Sequence, residues 1–229
     1  MIYRNRTEAG RLLAPLLGEY ANRKDTIVLA LPRGGLPVAD EIARSLGAPL
    51  DVLVVRKLGL PWQPELAAGA IAPGGVLVVN PEVKAEVPEL EQVLAPVTSR
   101  ERAELQRREL LYREGKPPTE VRDRIAIVVD DGIATGATMH AAVLALRAMR
   151  ARSVVVAIPV AARRAVTNLE RIADRVICLQ QPVSFFAVGQ WYQDFPQLDD
   201  AEVVASLTRA AERQSGAKAS SHEAACQSP

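Results

Sequence analysis

The chain has 229 residues, of which 48% are hydrophobic and 24% charged, and its formal net charge is +1. A folded chain of this length buries roughly 70–75% of its extended surface, enough for a full core without staples. The near-neutral balance excludes a global electrostatic case for nucleic acid or an anionic membrane as partner.

In chain order, Thr7–Arg23 has apolar residues at a helical period, with Thr7 as the expected N-cap. Thr26–Leu31 reads as a short buried strand, stopped by Pro32-Arg33-Gly34-Gly35. Leu36–Leu46 reads as a helix with Gly47 as its C-cap. Asp51–Val55 is a second strand, ended by Arg56-Lys57. Strand, turn, helix, strand is the pattern of a parallel α/β sheet. The middle is less regular. Ala67–Ala72 and Gly75–Val79 suggest a hairpin or two short strands around Pro73-Gly74, and Glu89–Glu114 is a long charged helix stopped by Gly115-Lys116-Pro117-Pro118. The alternation then returns: strand Arg124–Val129, helix Gly136–Met149, strand Ser153–Val160, helix Arg163–Ile172 and strand Arg175–Leu179. An aromatic cluster follows (Phe185, Phe186, Trp191, Tyr192, Phe195), then a last helix at Asp199–Arg213 capped by Asp199 or Asp200. Residues 214–229 are small and polar, and a disordered tail is expected there.

No run reaches the roughly eighteen apolar residues of a membrane span, and the first residues lack the apolar centre of a signal peptide. Cys178 and Cys226 form neither a disulfide framework nor a zinc set, so a cytoplasmic location is the expectation. His140 and His222 are too few for a His-rich metal site.

The chemistry concentrates in one segment. The apolar run Ile125–Val129 enters Asp130-Asp131-Gly132-Ile133-Ala134-Thr135-Gly136-Ala137-Thr138 and then a helix. Two adjacent carboxylates at a strand end are costly unless they meet solvent, a cation or hydroxyl donors. Ligands of open α/β sheets bind at this end of the strands. The small-residue loop brings backbone N–H groups and two threonine hydroxyls to a helix N-terminus, a nest for a phosphate. Acids for sugar hydroxyls beside amides for a phosphate describe a ribose-5-phosphate site. No lysine follows Gly136, so this is not a P-loop, and no G-x-G-x-x-G follows a strand.

The run VVDDGIATGAT resembles the signature with which type I phosphoribosyltransferases bind phosphoribosyl pyrophosphate (PRPP). The resemblance covers roughly residues 1–210. It implies that Asp130 and Asp131 hold the ribose hydroxyls and that Ala134, Thr135, Gly136, Ala137 and Thr138 wrap the 5-phosphate. Leu31–Pro37 is similar to the family's pyrophosphate loop, with Arg33, Gly34 and Gly35 as its binding residues and a non-proline cis peptide expected at Arg33 or its neighbours. Lys57 resembles the family's basic residue for the pyrophosphate. Arg33 and Lys57 would oppose the leaving charge and are the catalytic candidates.

The fold implied is a three-layer α/β/α domain over 1–213 with a mainly parallel five- or six-stranded sheet. It carries an insertion or flap at 57–123, where Arg100, Arg102, Arg107, Arg108 and Arg113 lie, and a base-holding hood at 180–198. The activity implied is transfer of 5-phosphoribosyl from PRPP to a small nitrogenous base, with Mg²⁺ as cofactor and Asp130 and Asp131 touching it directly or through water. A PRPP- or nucleotide-sensing regulatory protein without catalysis is the alternative. Neither nucleic acid nor membrane is expected as partner, and the sequence leaves the oligomeric state open, a homodimer being one option. In 6-oxopurine enzymes of the family an aspartate stands where this chain has Ala134. Efficient hypoxanthine or guanine salvage is therefore not expected. Asp194, Glu65 and Asp199 are the alternative proton acceptors.

Overall fold

The computed structural model describes residues 1–114 and 117–226. Its main sheet has five strands: β1 (Thr26–Ala30), β2 (Leu50–Val52), β6 (Ile125–Val129), β7 (Ser153–Val160) and β8 (Arg175–Gln180). All are parallel, in the order β2-β1-β6-β7-β8. Three shorter strands, β3 (Arg56–Leu58), β4 (Gly69–Ala72) and β5 (Val76–Val79), form a separate antiparallel sheet between β2 and β6 in the chain.

The central strands are buried on both faces, which is why they read as continuous apolar runs. Alternate residues part company. Val28, Ala30, Ile127, Val129, Val155 and Ala157 face helices α1 (Arg6–Leu13) and α2 (Gly35–Leu46) and share their core. Ile27, Leu29, Ala126, Val128, Val154 and Val156 face α5 (Ala137–Ala148) and α6 (Arg163–Leu169). The three-layer α/β/α expectation holds. Gly47 caps α2 at φ 59°, the left-handed conformation expected of it.

Three local readings change. The first helix starts at Arg6 behind an Asn5 cap, whose side chain accepts the N–H of Glu8. It gives way at Ala14 to a 3-10 segment, where Pro15 has no N–H to continue the α ladder. The second strand ends at Val52, not Val55. Its partner β1 stops at Ala30, the last bond being Leu53 N–H to the Ala30 carbonyl, so Val54 and Val55 have no strand to pair with. Arg56 and Lys57 therefore open the small sheet rather than end the second strand. The last helix, α7, spans Asp200–Cys226 and so runs past Arg213 through the stretch expected to be disordered. Alanine, the best helix former, recurs along it, and Asp199 and Glu202 close a capping box at its start. Residues 227–229 of that stretch lie outside the described residues.

Region 57–123 is built into the domain. Leu58 and Ile71 of the small sheet, Val83 of the short helix α3 (Pro81–Glu86), and Leu90, Leu94 and Leu105 of α4 (Leu90–Arg113) belong to the same core as α2. Arg113, one of the expected flap arginines, is buried and pairs with Asp51 at 2.7 Å. Its other guanidinium nitrogen donates to the Val52 carbonyl at 2.8 Å. It fastens α4 to the main sheet.

Candidate functional site

The strand order reverses between β1 and β6: the chain steps outward to β2 on one side and to β7 and β8 on the other. At such a switch point the two loops leaving the carboxyl ends diverge and open a crevice. Ala30 and Val129 are register partners, so the loops after them, Leu31–Gly35 and Asp130–Gly136, leave side by side. The Pro32–Arg33 peptide bond is cis, at the place the sequence suggested. A Cβ on Gly35 would stand 2.5 Å from the Val129 carbonyl oxygen, so only glycine lets this loop lie against β6.

Beyond Asp131 the chain is tied down by Ile133, whose N–H donates to Val160 and whose carbonyl accepts from Ala162. Gly136 then turns at φ 82° into α5. Ala134, Thr135 and Thr138 are exposed, and Gly136 and Ala137 are half-buried. The first amides of α5 have no preceding helical carbonyl to bond and face outward with the helix dipole. A cleft of about 700 Å³ is lined by Pro32, by Arg56 and Lys57 of β3, by Arg100 and Arg108 of α4, and by Thr138. Thus three separate predicted segments meet on one cleft. Thr135, Gly136 and Ala137 border a smaller cavity of about 230 Å³ with His140. Glu65 borders both and holds Lys57 Nζ at 2.8 Å. Arg33 is half-buried, and its carbonyl accepts the N–H of Leu36.

The family model for the phosphoribosyl transferase domain matches residues 1–194. The chain belongs to that family. It is 47% identical, over 209 residues, to a Mycobacterium tuberculosis protein called a phosphoribosyl transferase, found in strains CDC 1551 and H37Rv. That alignment covers 91% of this chain and 47% of the relative, so the chain spans about half the length of the curated relatives it matches. Among solved structures, the protein TT1426 from Thermus thermophilus is 42% identical with a TM-score of 0.83, covering 90% of this chain and 98% of that one. The type I phosphoribosyltransferase fold expected from the sequence is thereby shown.

In this phosphoribosyl transferase domain the acid pair is held by residues the sequence did not single out. Asp131 is buried and its Oδ2 accepts the Nε–H of Arg6 at 2.7 Å. Tyr192 donates its hydroxyl to the Asp131 carbonyl. Among the described residues Asp130 has no such ion-pair partner. Burial, and then the neighbouring charge of Asp131, push its carboxyl well above the usual range. The aromatic cluster proves largely a packing corner: Tyr192 stacks on Phe195 at 4.9 Å and lies 5.4 Å from Tyr3, and Phe185 stacks on Trp191. Phe186 alone of the cluster is largely exposed. Nothing in the N-terminal residues signals the role of Arg6, which lies 125 positions from its partner.

Proposed function

We propose that this domain transfers the 5-phosphoribosyl group of PRPP to a nitrogen of a small base, with release of pyrophosphate. The observation that carries the reading is the single cleft joining Pro32, Lys57 and Thr138 at the switch point. There Thr138, at the start of α5, shares the cleft with Lys57 and with Arg56, Arg100 and Arg108, while Arg33, Asp130 and Asp131 lie on the adjoining loops and not in its lining.

In the reaction the bond from the anomeric carbon to the pyrophosphate oxygen breaks, and its electron pair leaves with pyrophosphate. The lone pair of the acceptor nitrogen forms the new bond, and a nitrogen proton is released to solvent or to a carboxylate. Ala134–Thr138 hold the 5-phosphate end. Asp130 and Asp131 accept from the ribose hydroxyls. Lys57 and Arg33 stabilise the charge growing on the leaving group, an interaction strongest in the transition state. Lys57 must exchange Glu65 for pyrophosphate, and Glu65 lies in an exposed turn, Pro61–Glu65. That turn is the part of the 57–123 region suited to act as a flap.

The donor set fits Mg²⁺ carried mainly by substrate oxygens. Among the described residues no group of three or more acidic, His or Cys side chains could cage a metal. Mg²⁺ keeps several waters and needs only one or two carboxylates. Asp130, which has no ion-pair partner among the described residues, and Asp131 would reach it through its waters while accepting from the ribose hydroxyls, and it would supply charge neutralisation at the pyrophosphate. No helix among the described residues is long and apolar enough to cross a membrane. A cytoplasmic setting accords with that reading.

The test is pyrophosphate release from Mg-PRPP with a panel of purines, pyrimidines and other nitrogen heterocycles. Release that depends on one acceptor class supports the transferase. Tight PRPP binding without release for any acceptor would move the reading to a sensor.

A further inference from the structure

Each carboxylate of the acid pair has one oxygen already engaged. Asp130 Oδ1 accepts the backbone N–H of Asp131 at 2.9 Å, and Asp131 Oδ2 accepts the Nε–H of Arg6 at 2.7 Å. Among the described residues no side chain donates to the other two oxygens. Arg6 has little freedom to let go. It is 8% exposed, its Nη1 donates to the Pro196 carbonyl at 2.8 Å, and its guanidinium carbon lies 3.8 Å from the centre of the Phe195 ring. Phe195 in turn stacks on Tyr192, whose hydroxyl fixes the main chain of Asp131. A planar guanidinium, seated on a ring face and forked between a carboxylate and a carbonyl, is a more directional clamp than a lysine would be.

We propose that Arg6 is a positioning residue for sugar recognition. By occupying Asp131 Oδ2 it leaves the pair one open oxygen per carboxylate, an arrangement that takes a ligand with two adjacent hydroxyls, one to each acid. Without the clamp Asp131 is free to rotate, and both of its oxygens compete for a single hydroxyl. Arg6 thereby sets the preference for ribosyl over 2-deoxyribosyl ligands, acting through Asp131 and touching no substrate atom itself. The inference rests on the phosphoribosyl reading above.

Calorimetry with ribose 5-phosphate and 2-deoxyribose 5-phosphate tests it on wild type, Arg6→Gln and Arg6→Lys. Wild type should prefer the ribosyl ligand by about tenfold or more, as expected for a hydrogen bond to a charged acceptor. In Arg6→Gln that preference should shrink several-fold, with affinity for the deoxy sugar nearly unchanged. Arg6→Lys, which keeps the charge and loses the fork, should fall between, and it carries the comparison alone if the glutamine variant does not fold. An equal loss for both sugars, or an unchanged preference, overturns the positioning role, since a residue that merely supports the fold weakens both alike. Wild type that binds the two sugars equally overturns the inference and leaves the transferase reading standing. Wild type that binds neither sugar, nor PRPP, overturns both.

Discussion

Gly34 lies so close to Asp131 that a Cβ built on it would stand 2.1 Å from the carboxylate Oδ2. Its own backbone is ordinary right-handed helical, so an alanine there meets no torsional objection, only the carboxylate. Gly34→Ala should push Asp131 off Arg6 and weaken PRPP binding by more than tenfold, about 1.4 kcal/mol. Overpacking of this kind costs about 1–3 kcal/mol of stability, so the fold should survive. Calorimetry beside a thermal melt separates the two effects; unchanged PRPP affinity in a folded variant would show that the carboxylate is not used.

Lys57→Ala should lower turnover more than it weakens ribose 5-phosphate binding. Lys57 Nζ now faces Glu65, in the cleft that Thr138 also lines. A group that meets mainly the departing charge lowers kcat and kcat/KM together. A rise in KM alone would make Lys57 a ground-state binding residue.

Arg113→Ala should destabilise the domain far more than any surface arginine. Asp51 is buried and accepts from Arg113, from its neighbour Val52 N–H and from Thr119 N–H. Removing one partner of a buried ion pair costs about 3–5 kcal/mol. At roughly 2–4 °C per kcal/mol for a chain of this size, the melting temperature should drop by about 10 °C. A shift of only a degree or two would mean that the pair is solvated in solution. By contrast Arg107→Ala, at a solvent-screened pair with Glu104, should leave the melting temperature nearly unchanged.

His140 gives a pH dependence with a definite sign. Burial holds its imidazole below the ordinary value near 6.5, while Glu82 acts the other way. The unfolded chain therefore takes up its proton first as pH falls. The stability contributed by the neutral ring is present above about pH 6.5 and is lost as pH falls through the depressed value. Urea unfolding between pH 7.5 and 5 should show a steeper acid loss in wild type than in His140→Gln. Parallel curves for the two would be evidence that the ring is hydrated.

Ala134 bears on the acceptor. It is exposed within the loop proposed above to hold the 5-phosphate, and a methyl group takes no proton. General acid–base assistance is typically worth about 10²–10⁴-fold. Hypoxanthine and guanine should therefore be poor acceptors. Turnover of either near 10 s⁻¹, roughly an ordinary enzyme rate, would contradict this.

The features legible in sequence were those written in contiguous residues. The buried strands, the Gly47 cap, the hairpin around Pro73-Gly74 and the loop Asp130–Thr138 each carry their signal within a dozen positions. What escaped depends on neighbours remote in the chain. Val54 and Val55 have strand-forming side chains but no partner, because β1 stops at Ala30. Arg113 reads as one more charge on a solvated helix until Asp51 is seen beneath it. Arg6 and Tyr192 act on Asp131 from opposite ends of the sequence, and no local pattern distinguishes them from other surface-type residues.

The seat of Arg6 also has a consequence for synthesis. Asp131 and Arg6 are both made well before Phe195 and Pro196, the ring and carbonyl that hold the guanidinium in place. On the ribosome a nascent chain can pair β1 with β6 while the acid pair still lacks its clamp, because contacts of such long sequence separation close late. A growing chain thus passes through a stage with a formed sheet and an acid pair not yet clamped for the sugar role proposed above. Released chains truncated on either side of Pro196 should differ in PRPP binding far more than in secondary structure.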